Sequence, residues 1–289
     1  MLASLLSDLP KIGVVEYHRA IGSTNDRARE LAAQGTPEIA LIAADEQLAG
    51  RGRQGRSWYT PPGTALAFSL LIRPVIAPQR AMRLTMLAGL AAVEGIEWAT
   101  DLRLDLKWPN DVVTMNNEQL TINNDQLTMI NGESANAQPP TTNRQQPTTK
   151  KIGGILTECA FQGEIIDYAV IGIGLNVNVD FSQQLELRQI ATSLSQLAGR
   201  EIDRWAVLKA VVAAWIDRSA WLDDDDRLRE AWAARLINLR RNIRVNLNGQ
   251  FLEGYAEGVD ADGALLLRTA DNRLQRLLSG DVMLHALNQ

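Results

Sequence analysis

An α+β fold is predicted, in which a larger domain is followed by a small module of short strands. Two observations carry this expectation. Over residues 1–238, apolar runs of strand length are interspersed with stretches of helical periodicity. From about Leu239 the pattern changes to short strands, Ile243 to Leu247, Phe251 to Val259, Ala264 to Thr269 and Arg273 to Leu278. They are parted by the hairpin-turn dipeptides Asn248-Gly249, Asp262-Gly263 and Asp271-Asn272. Residues 239–289 therefore read as a barrel-like appendage.

In the larger domain, Ile12 to Tyr17 reads as a strand. Ser23 then caps a helix running to about Gln34, with Ala28, Leu31 and Ala32 on its apolar side and Gly35 as its stop. Ile39 to Ala44 suits a buried strand, and Thr64 to Ile72 another. From Gln79 to about Trp98, Met82, Met86, Leu87 and Leu90 recur at helical spacing, which predicts a long core helix. Leu102, Leu104 and Leu106 alternate with Arg103, Asp105 and Lys107, the pattern of a half-buried strand reaching Trp108 that turns Lys107 away from the leucines. Residues 116–149, rich in Asn, Gln, Thr and Pro, read as an insertion, mostly mobile, between two strands. Ile152 to Cys159 and Ile165 to Val177 form a strand pair turning near Gly163. Helices follow at about Arg204 to Leu222 and Arg227 to Asn238. The acidic run Asp223 to Asp226 between them suits a helix N-terminus better than a metal.

Of the 289 residues 46% are hydrophobic and 22% charged, with a formal net charge of −5. That is enough apolar content for a sizeable core and argues against wholesale nucleic-acid binding. Any anion site must come from local placement of cations. The single cysteine, Cys159, excludes an intramolecular disulfide and a cysteine zinc cage, and fits a reducing cytoplasm. The opening residues up to Pro10 lack a basic segment and read as a short leading helix, not a signal peptide. No run of about 18 apolar residues announces a membrane span.

Four segments carry chemistry. In Gly50-Arg51-Gly52-Arg53-Gln54-Gly55-Arg56, followed by Ser57-Trp58, glycines let the backbone approach an anion and arginines supply forked donors. The spacing matches neither the P-loop nor the dinucleotide fingerprint. An RG-type nucleic-acid contact or a solvated loop is the plain alternative. Lys107-Trp108-Pro109-Asn110-Asp111 sets an ammonium, an amide and a carboxylate within one turn, with Pro109 restricting the conformation. Asp111 there suits a proton acceptor or a metal ligand on a nucleotide phosphate, and Lys107 a phosphate partner. A polar strand end with a local turn explains the segment equally. In Lys150-Lys151-Ile152-Gly153-Gly154-Ile155-Leu156-Thr157-Glu158, paired glycines inside an apolar strand point to a closely approaching ligand or backbone, or to a bulge. Gly172-Ile173-Gly174-Leu175-Asn176-Val177-Asn178 repeats the strand-and-glycine combination, which strand packing alone also explains.

In this order the segments resemble the biotin protein ligase family. Ser23-Thr24-Asn25 and Gln47 look like further hallmark positions, and the likeness covers nearly the whole chain. It implies an α+β fold with a mixed-sheet catalytic domain of the class II aminoacyl-tRNA-synthetase-like type over 1–238 and an SH3-like barrel over 239–289. The activity it implies is a cytoplasmic ligase that forms biotinyl-5′-AMP from biotin and ATP with Mg²⁺. Biotin then passes to a lysine of a biotin carboxyl carrier protein, such as that of acetyl-CoA carboxylase.

Residue by residue, the resemblance puts Ser23, Thr24 and Gln47 at biotin's ureido ring, with Asn25 also among the biotin-binding residues. Gly50, Arg51, Gly52 and Arg53 fall in the loop that closes over biotin and the adenylate, and Gly153 and Gly154 lie beside the biotin ring. Arg51, Arg53, Arg56, Trp58, Asn110 and Asn176 fall on the ATP or adenylate side. Lys151 contacts both biotin's carboxylate and the phosphate. Arg53, Lys107, Asp111 and Lys151 are the implied catalytic set, with Asp111 the implied Mg²⁺ ligand. The absence of cysteine and histidine from the four segments agrees with a route that needs no covalent enzyme nucleophile.

The segment ahead of Ser23 is shorter than the helix-turn-helix domain of repressor-type members, so DNA-binding regulation is not expected. The 116–149 insertion is longer than the hairpin expected there. Competing readings are a lipoate or octanoyl transferase, which would lack the glycine-arginine loop, and a non-catalytic biotin- or carrier-binding module, against which the retained cations weigh. An arginine-loop RNA binder is disfavoured by the acidic balance and by few stacking aromatics beyond Trp58 and Tyr59. The sequence is equally compatible with a monomer and a homodimer.

Overall fold

The computed structural model describes residues 2–9, 12–37, 39–115 and 149–284. In chain order the elements are α1 (Leu2–Leu5), β1 (Ile12–His18), α2 (Thr24–Ala33), β2 (Ile39–Ala44), β3 (Leu66–Ile72), α3 (Met82–Thr100), β4 (Asp105–Lys107) and β5 (Asp111–Met115). There follow β6 (Thr149–Gln162), β7 (Ile165–Leu175), α4 (Leu187–Ile190), α5 (Leu194–Ala198), α6 (Arg204–Asp217) and α7 (Asp225–Ala233). The chain closes with β8 (Asn242–Leu247), β9 (Gln250–Val259), β10 (Leu265–Arg268), β11 (Leu274–Leu277) and β12 (Asp281–Leu284).

Seven strands form a mixed sheet in the order β1-β2-β3-β7-β6-β5-β4, in which only β1 and β2 run parallel. The α+β expectation is met. Strand β3 is buried on both faces, and β2 is buried after its first residue, which is why they read as unbroken apolar runs. Helix α3 buries Leu84, Met86, Leu87, Leu90 and Ile96 against this sheet and against α6 and α7. Each such side chain contributes about 1.5–3 kcal/mol by leaving water. Beyond α7, β8 to β12 make a separate antiparallel sheet in the order β11-β10-β9-β8-β12. Its turns hold Asn248, Gly249, Gly263 and Asn272 at positive φ, the conformation those residue types were expected to supply.

Several details depart from expectation. Strand β4 has three residues instead of the seven expected from Leu102 to Trp108. The Leu102 N–H bonds Thr100 Oγ1 and the Leu104 N–H bonds Glu97 Oε1, so side chains take the donors that a longer ladder would use. The second helix ends at Ala233, not Asn238. Residues 235–237 instead run alongside β4, where the Leu106 N–H meets the Arg235 carbonyl and the Ile237 N–H meets the Leu106 carbonyl.

Ser23 occupies the N-cap of α2 but makes no side-chain cap; it lines the cavity described below. Of the expected insertion, 116–148 lie outside the described residues, whereas Thr149 already belongs to β6. Strand β12 and the short helices α4 and α5 were not anticipated, although Ser193 and Gln196 of α5 form a capping box, a pattern open to reading. In the acidic run, Asp224 caps α7 through the Arg227 N–H, and Asp225 pairs with Arg80 and the fully buried Arg83. No group of three or more His, Cys, Asp or Glu side chains suited to a metal occurs among the described residues.

Candidate active site

The ends of β6 and β7 with their paired glycines, the turn between β4 and β5, and the loop after β2 converge on one cavity of about 750 Å³. The loop is a narrow hairpin. Arg51 and Ser57 bridge, the Gly52 N–H bonds the Arg56 carbonyl, and the turn over Arg53–Gly55 puts Gln54 and Gly55 at positive φ. At its base the Trp58 N–H bonds the Gly50 carbonyl at 2.8 Å, and a Cβ on Gly50 would sit 2.6 Å from the Trp58 carbonyl oxygen. Each loop arginine has a different anchor. Arg51 pairs with Asp26 at 2.6 Å, Arg53 donates to Asn110 Oδ1 at 3.2 Å, and Arg56 pairs with Asp281 of β12. Burial pushes the Arg53 guanidinium below its ordinary pKa, against the nearby charges of Asp281 and Asp111.

On the opposite wall, β5 and β6 set Asp111 across from Gly154, and Lys151 Nζ lies 2.5 Å from Asp111 Oδ1. A Cβ on Gly154 would stand 3.2 Å from that ammonium, so the glycine keeps the space above the pair open. Lys107 faces Asp111 across the β4–β5 register; burial lowers its pKa, only partly offset by Asp111. Asn110 is fixed in place, its Nδ2 donating to the Ile155 carbonyl at 2.7 Å. The Trp58 ring stacks over Gly174, where a Cβ would overlap its indole nitrogen, with Lys151 Nζ 5.5 Å from the ring centre. The Trp108 preceding Pro109 points away into the core, donating from Nε1 to the Gly263 carbonyl at 3.0 Å and from its backbone N–H to Asn238 Oδ1 at 2.8 Å.

At the far end, the Thr24 N–H and Oγ1 lie 2.9 and 3.1 Å from Gln47 Oε1. Ser23, Thr24, Asn25, Gln47, Arg51, Gly52, Arg53, Arg56 and Trp58 all line the cavity, as do Lys107, Asn110, Asp111, Lys151, Gly154 and Asn176. Gly50 and Gly153 do not. Gly50 serves the base of the hairpin, and Gly153, one residue out of phase with Gly154, faces β7, where a Cβ would meet the Gly174 carbonyl oxygen at 2.6 Å. Asn176 spends its amide protons on the Lys151 and Thr192 carbonyls, so it braces the start of β6. Among the residues that sequence reasoning missed, Asp281 reaches the cavity from the second sheet with no local signal, while Ser69, outside the lining but bonded to Thr24, is the one polar residue of β3.

Together these features define a mixed-sheet protein with a half-enclosed cleft, cationic on two walls and hydrogen-bonding at one end. Residues 17–176 match the model of the biotin/lipoate A/B protein ligase family, and residues 241–284 match that of the biotin protein ligase C-terminal domain. The chain belongs to this family. It is 36% identical over 274 residues to the bifunctional ligase/repressor BirA of Bacillus subtilis, covering 93% of this chain and 73% of that protein. It is 30% identical to the biotin–[acetyl-CoA-carboxylase] ligase of Paracoccus denitrificans, covering 85% and 90% respectively. The fold matches that of the Aquifex aeolicus biotin protein ligase in complex with biotin and ATP. There the TM-score is 0.69 at 24% identity, over 93% of this chain and 97% of the other.

Proposed function

We propose that this protein is an ATP-dependent ligase that makes biotinyl-5′-AMP from biotin and ATP and passes the biotin to a lysine of a biotin carboxyl carrier protein. The carrier of acetyl-CoA carboxylase is the natural acceptor, given the relative in Paracoccus denitrificans. The observation that carries this reading is the meeting of Arg53, Lys107 and Lys151, from three separate segments, around one cavity with a hydrogen-bonding end at Thr24 and Gln47.

In this reading biotin's carboxylate attacks the α-phosphorus of ATP and pyrophosphate leaves. Two anions must approach, and the three cations offset their repulsion while holding them in line. Lys151 gives one proton to Asp111 and has two more to offer a carboxylate and a phosphate. The buried Trp58 indole N–H has no hydrogen-bond partner among the described residues, and a ligand acceptor would satisfy it. With no group of three or more ligating side chains among the described residues, the site suits Mg²⁺ arriving on the nucleotide better than a protein-built cage, and Asp111, beside Lys107 and Lys151, is the residue to hold it. Bound there, the ion would further neutralise phosphate charge. The hairpin carrying Arg53 covers the mixed anhydride against water until the carrier amine attacks the acyl carbon, loses its proton and releases AMP.

The proposal extends to organisation. Residues 1–238 form the catalytic domain and 239–289 an SH3-like barrel, in a protein that works in the cytoplasm. No helix among the described residues is long and apolar enough to cross a membrane.

The deciding experiment incubates the protein with ATP, Mg²⁺ and either biotin or lipoate and identifies the acyl-AMP by mass spectrometry. Biotinyl-AMP is expected. Lipoyl-AMP alone would move the protein to the lipoate branch of the family.

A further inference from the structure

We infer that Ser69, which lies in none of the motif segments, is a positioning residue that fixes the proton of the Thr24 hydroxyl and thereby makes Thr24 an acceptor for a ligand N–H. This rests on the biotin reading and deepens it. Ser69 is fully buried at the middle of β3, the sole polar side chain in Leu66–Ile72. Its Oγ lies 2.7 Å from Thr24 Oγ1 and 2.6 Å from Asn25 Oδ1. A hydroxyl has one proton, so it serves as donor to only one of these.

The far end of the chain decides which. Asn25 Nδ2 lies 2.6 Å from Glu158 Oε2 and 3.4 Å from the Leu156 carbonyl oxygen, both acceptors. Turning the amide over would set its oxygen against a carboxylate, so Asn25 Oδ1 must face Ser69, where it can only accept. The Ser69 proton therefore goes to Asn25. Thr24 Oγ1 must then donate to Ser69, since otherwise lone pairs would oppose each other across 2.7 Å in a buried place.

Three oxygen pairs thus share two protons, and the one left without is the longest, Thr24 Oγ1 to Gln47 Oε1 at 3.1 Å, where Gln47 already receives the Thr24 backbone N–H at 2.9 Å. What Thr24 Oγ1 presents to the cavity is lone pairs. The opposite arrangement, with protons running from Ser69 through Thr24 to Gln47, would leave the Ser69 and Asn25 oxygens 2.6 Å apart with nothing between them. Gly172 makes the relay possible, because a Cβ there would overlap Asn25 Oδ1.

The relay is a specificity device. A cyclic urea such as biotin's offers N–H donors, whereas the dithiolane of lipoate has none. Glu158, at the outer end and 3.6 Å from Arg51, is its anchor.

The test measures biotin-dependent pyrophosphate exchange by the full chain for wild type, Ser69→Ala, Glu158→Gln and the double variant. Ser69→Ala is expected to raise KM for biotin about tenfold, the loss of one well-placed hydrogen bond, while KM for ATP and kcat stay within about twofold. Because the links act in series, the double variant should lose no more than the worse single. An unchanged KM for biotin overturns the relay. So does a joint change in KM for biotin, KM for ATP and kcat, which marks damage to the fold. If Ser69→Ala fails to fold, Glu158→Gln decides alone, since it frees the Asn25 amide to turn and must also raise KM for biotin selectively. A wild-type protein without biotin-dependent exchange overturns the biotin reading itself, and the relay with it.

Discussion

The Lys151 ammonium and the Asp111 carboxylate lie 2.5 Å apart on adjacent strands, with the backbone of Gly154 facing Asp111 across the ladder. Neither is fully buried, at 35% and 25% side-chain exposure, so the pair is open to exchange partners when an anionic ligand arrives. Replacing Lys151 with Ala should leave the fold intact and slow biotinyl-AMP formation by about 10²–10³-fold, the range for losing one preorganised charge donor. Pyrophosphate exchange reads this directly. A rate within a few-fold of wild type would remove Lys151 from the chemistry.

The two adjacent glycines of β6 predict opposite phenotypes. Gly153→Ala drives a methyl into the backbone of β7 and should cost about 1–3 kcal/mol of stability, seen as a lower urea midpoint. Gly154→Ala meets the flexible end of Lys151 at 3.2 Å and Asp111 Oδ1 at an ordinary 3.6 Å, and should leave the midpoint in place while reducing adenylate formation. Equal urea midpoints for the two variants would contradict the assignment of faces.

Burial holds the Lys107 ammonium below the ordinary lysine pKa. As pH rises, it therefore loses its proton before an exposed lysine would. The alkaline limb of kcat/KM for ATP, which reports the free enzyme, should break below the ordinary lysine range, and Lys107→Arg should push it to higher pH. A limb that ignores this substitution belongs to another group. The sign for stability is the reverse. Between the depressed folded-state pKa and the ordinary value, the unfolded chain holds more protons at this site, so stability rises with pH across that window.

Arg53, at the tip of the hairpin, touches Asn110 across the cavity. Arg53→Gly should leave folding unchanged yet let biotinyl-AMP escape and label exposed lysines of a bystander protein. Free adenylate in the filtrate, measured against wild type, checks this; no increase would show that the hairpin does not retain the intermediate.

Legibility in the sequence tracked how local the physics was. Strand β2 was readable to the residue because Ala40 to Ala44 are all buried and their apolar character is continuous. The alternation of Leu102, Leu104 and Leu106 was genuine, with Leu104 and Leu106 buried. The strand nevertheless stopped short, because Thr100 and Glu97 captured its backbone donors, a competition that hydrophobic pattern cannot register. The glycine-arginine loop and the Gly153-Gly154 pair stood out because close backbone approach demands glycine there, but only the pleat of β6 distinguishes which of the pair faces the cavity. Asp281 was illegible, as its partner Arg56 is 225 residues away. Ser69 gave a faint sign as a hydroxyl in an apolar run, but its meaning depends on Thr24 and Asn25, more than forty residues earlier in the chain.

Trp108 sits between a backbone acceptor, Gly263 in the β9–β10 turn, and the amide of Asn238. The turn bearing Lys107, Asn110 and Asp111 is thus hung from residues at the other end of the chain. Met82 and Met86 of α3 close around the same Gly263. A fragment ending after α7 would strand an indole donor and two thioethers in water and leave that turn without its buttress. The small sheet accordingly acts as a scaffold that keeps one wall of the cleft in its larger neighbour from coming loose.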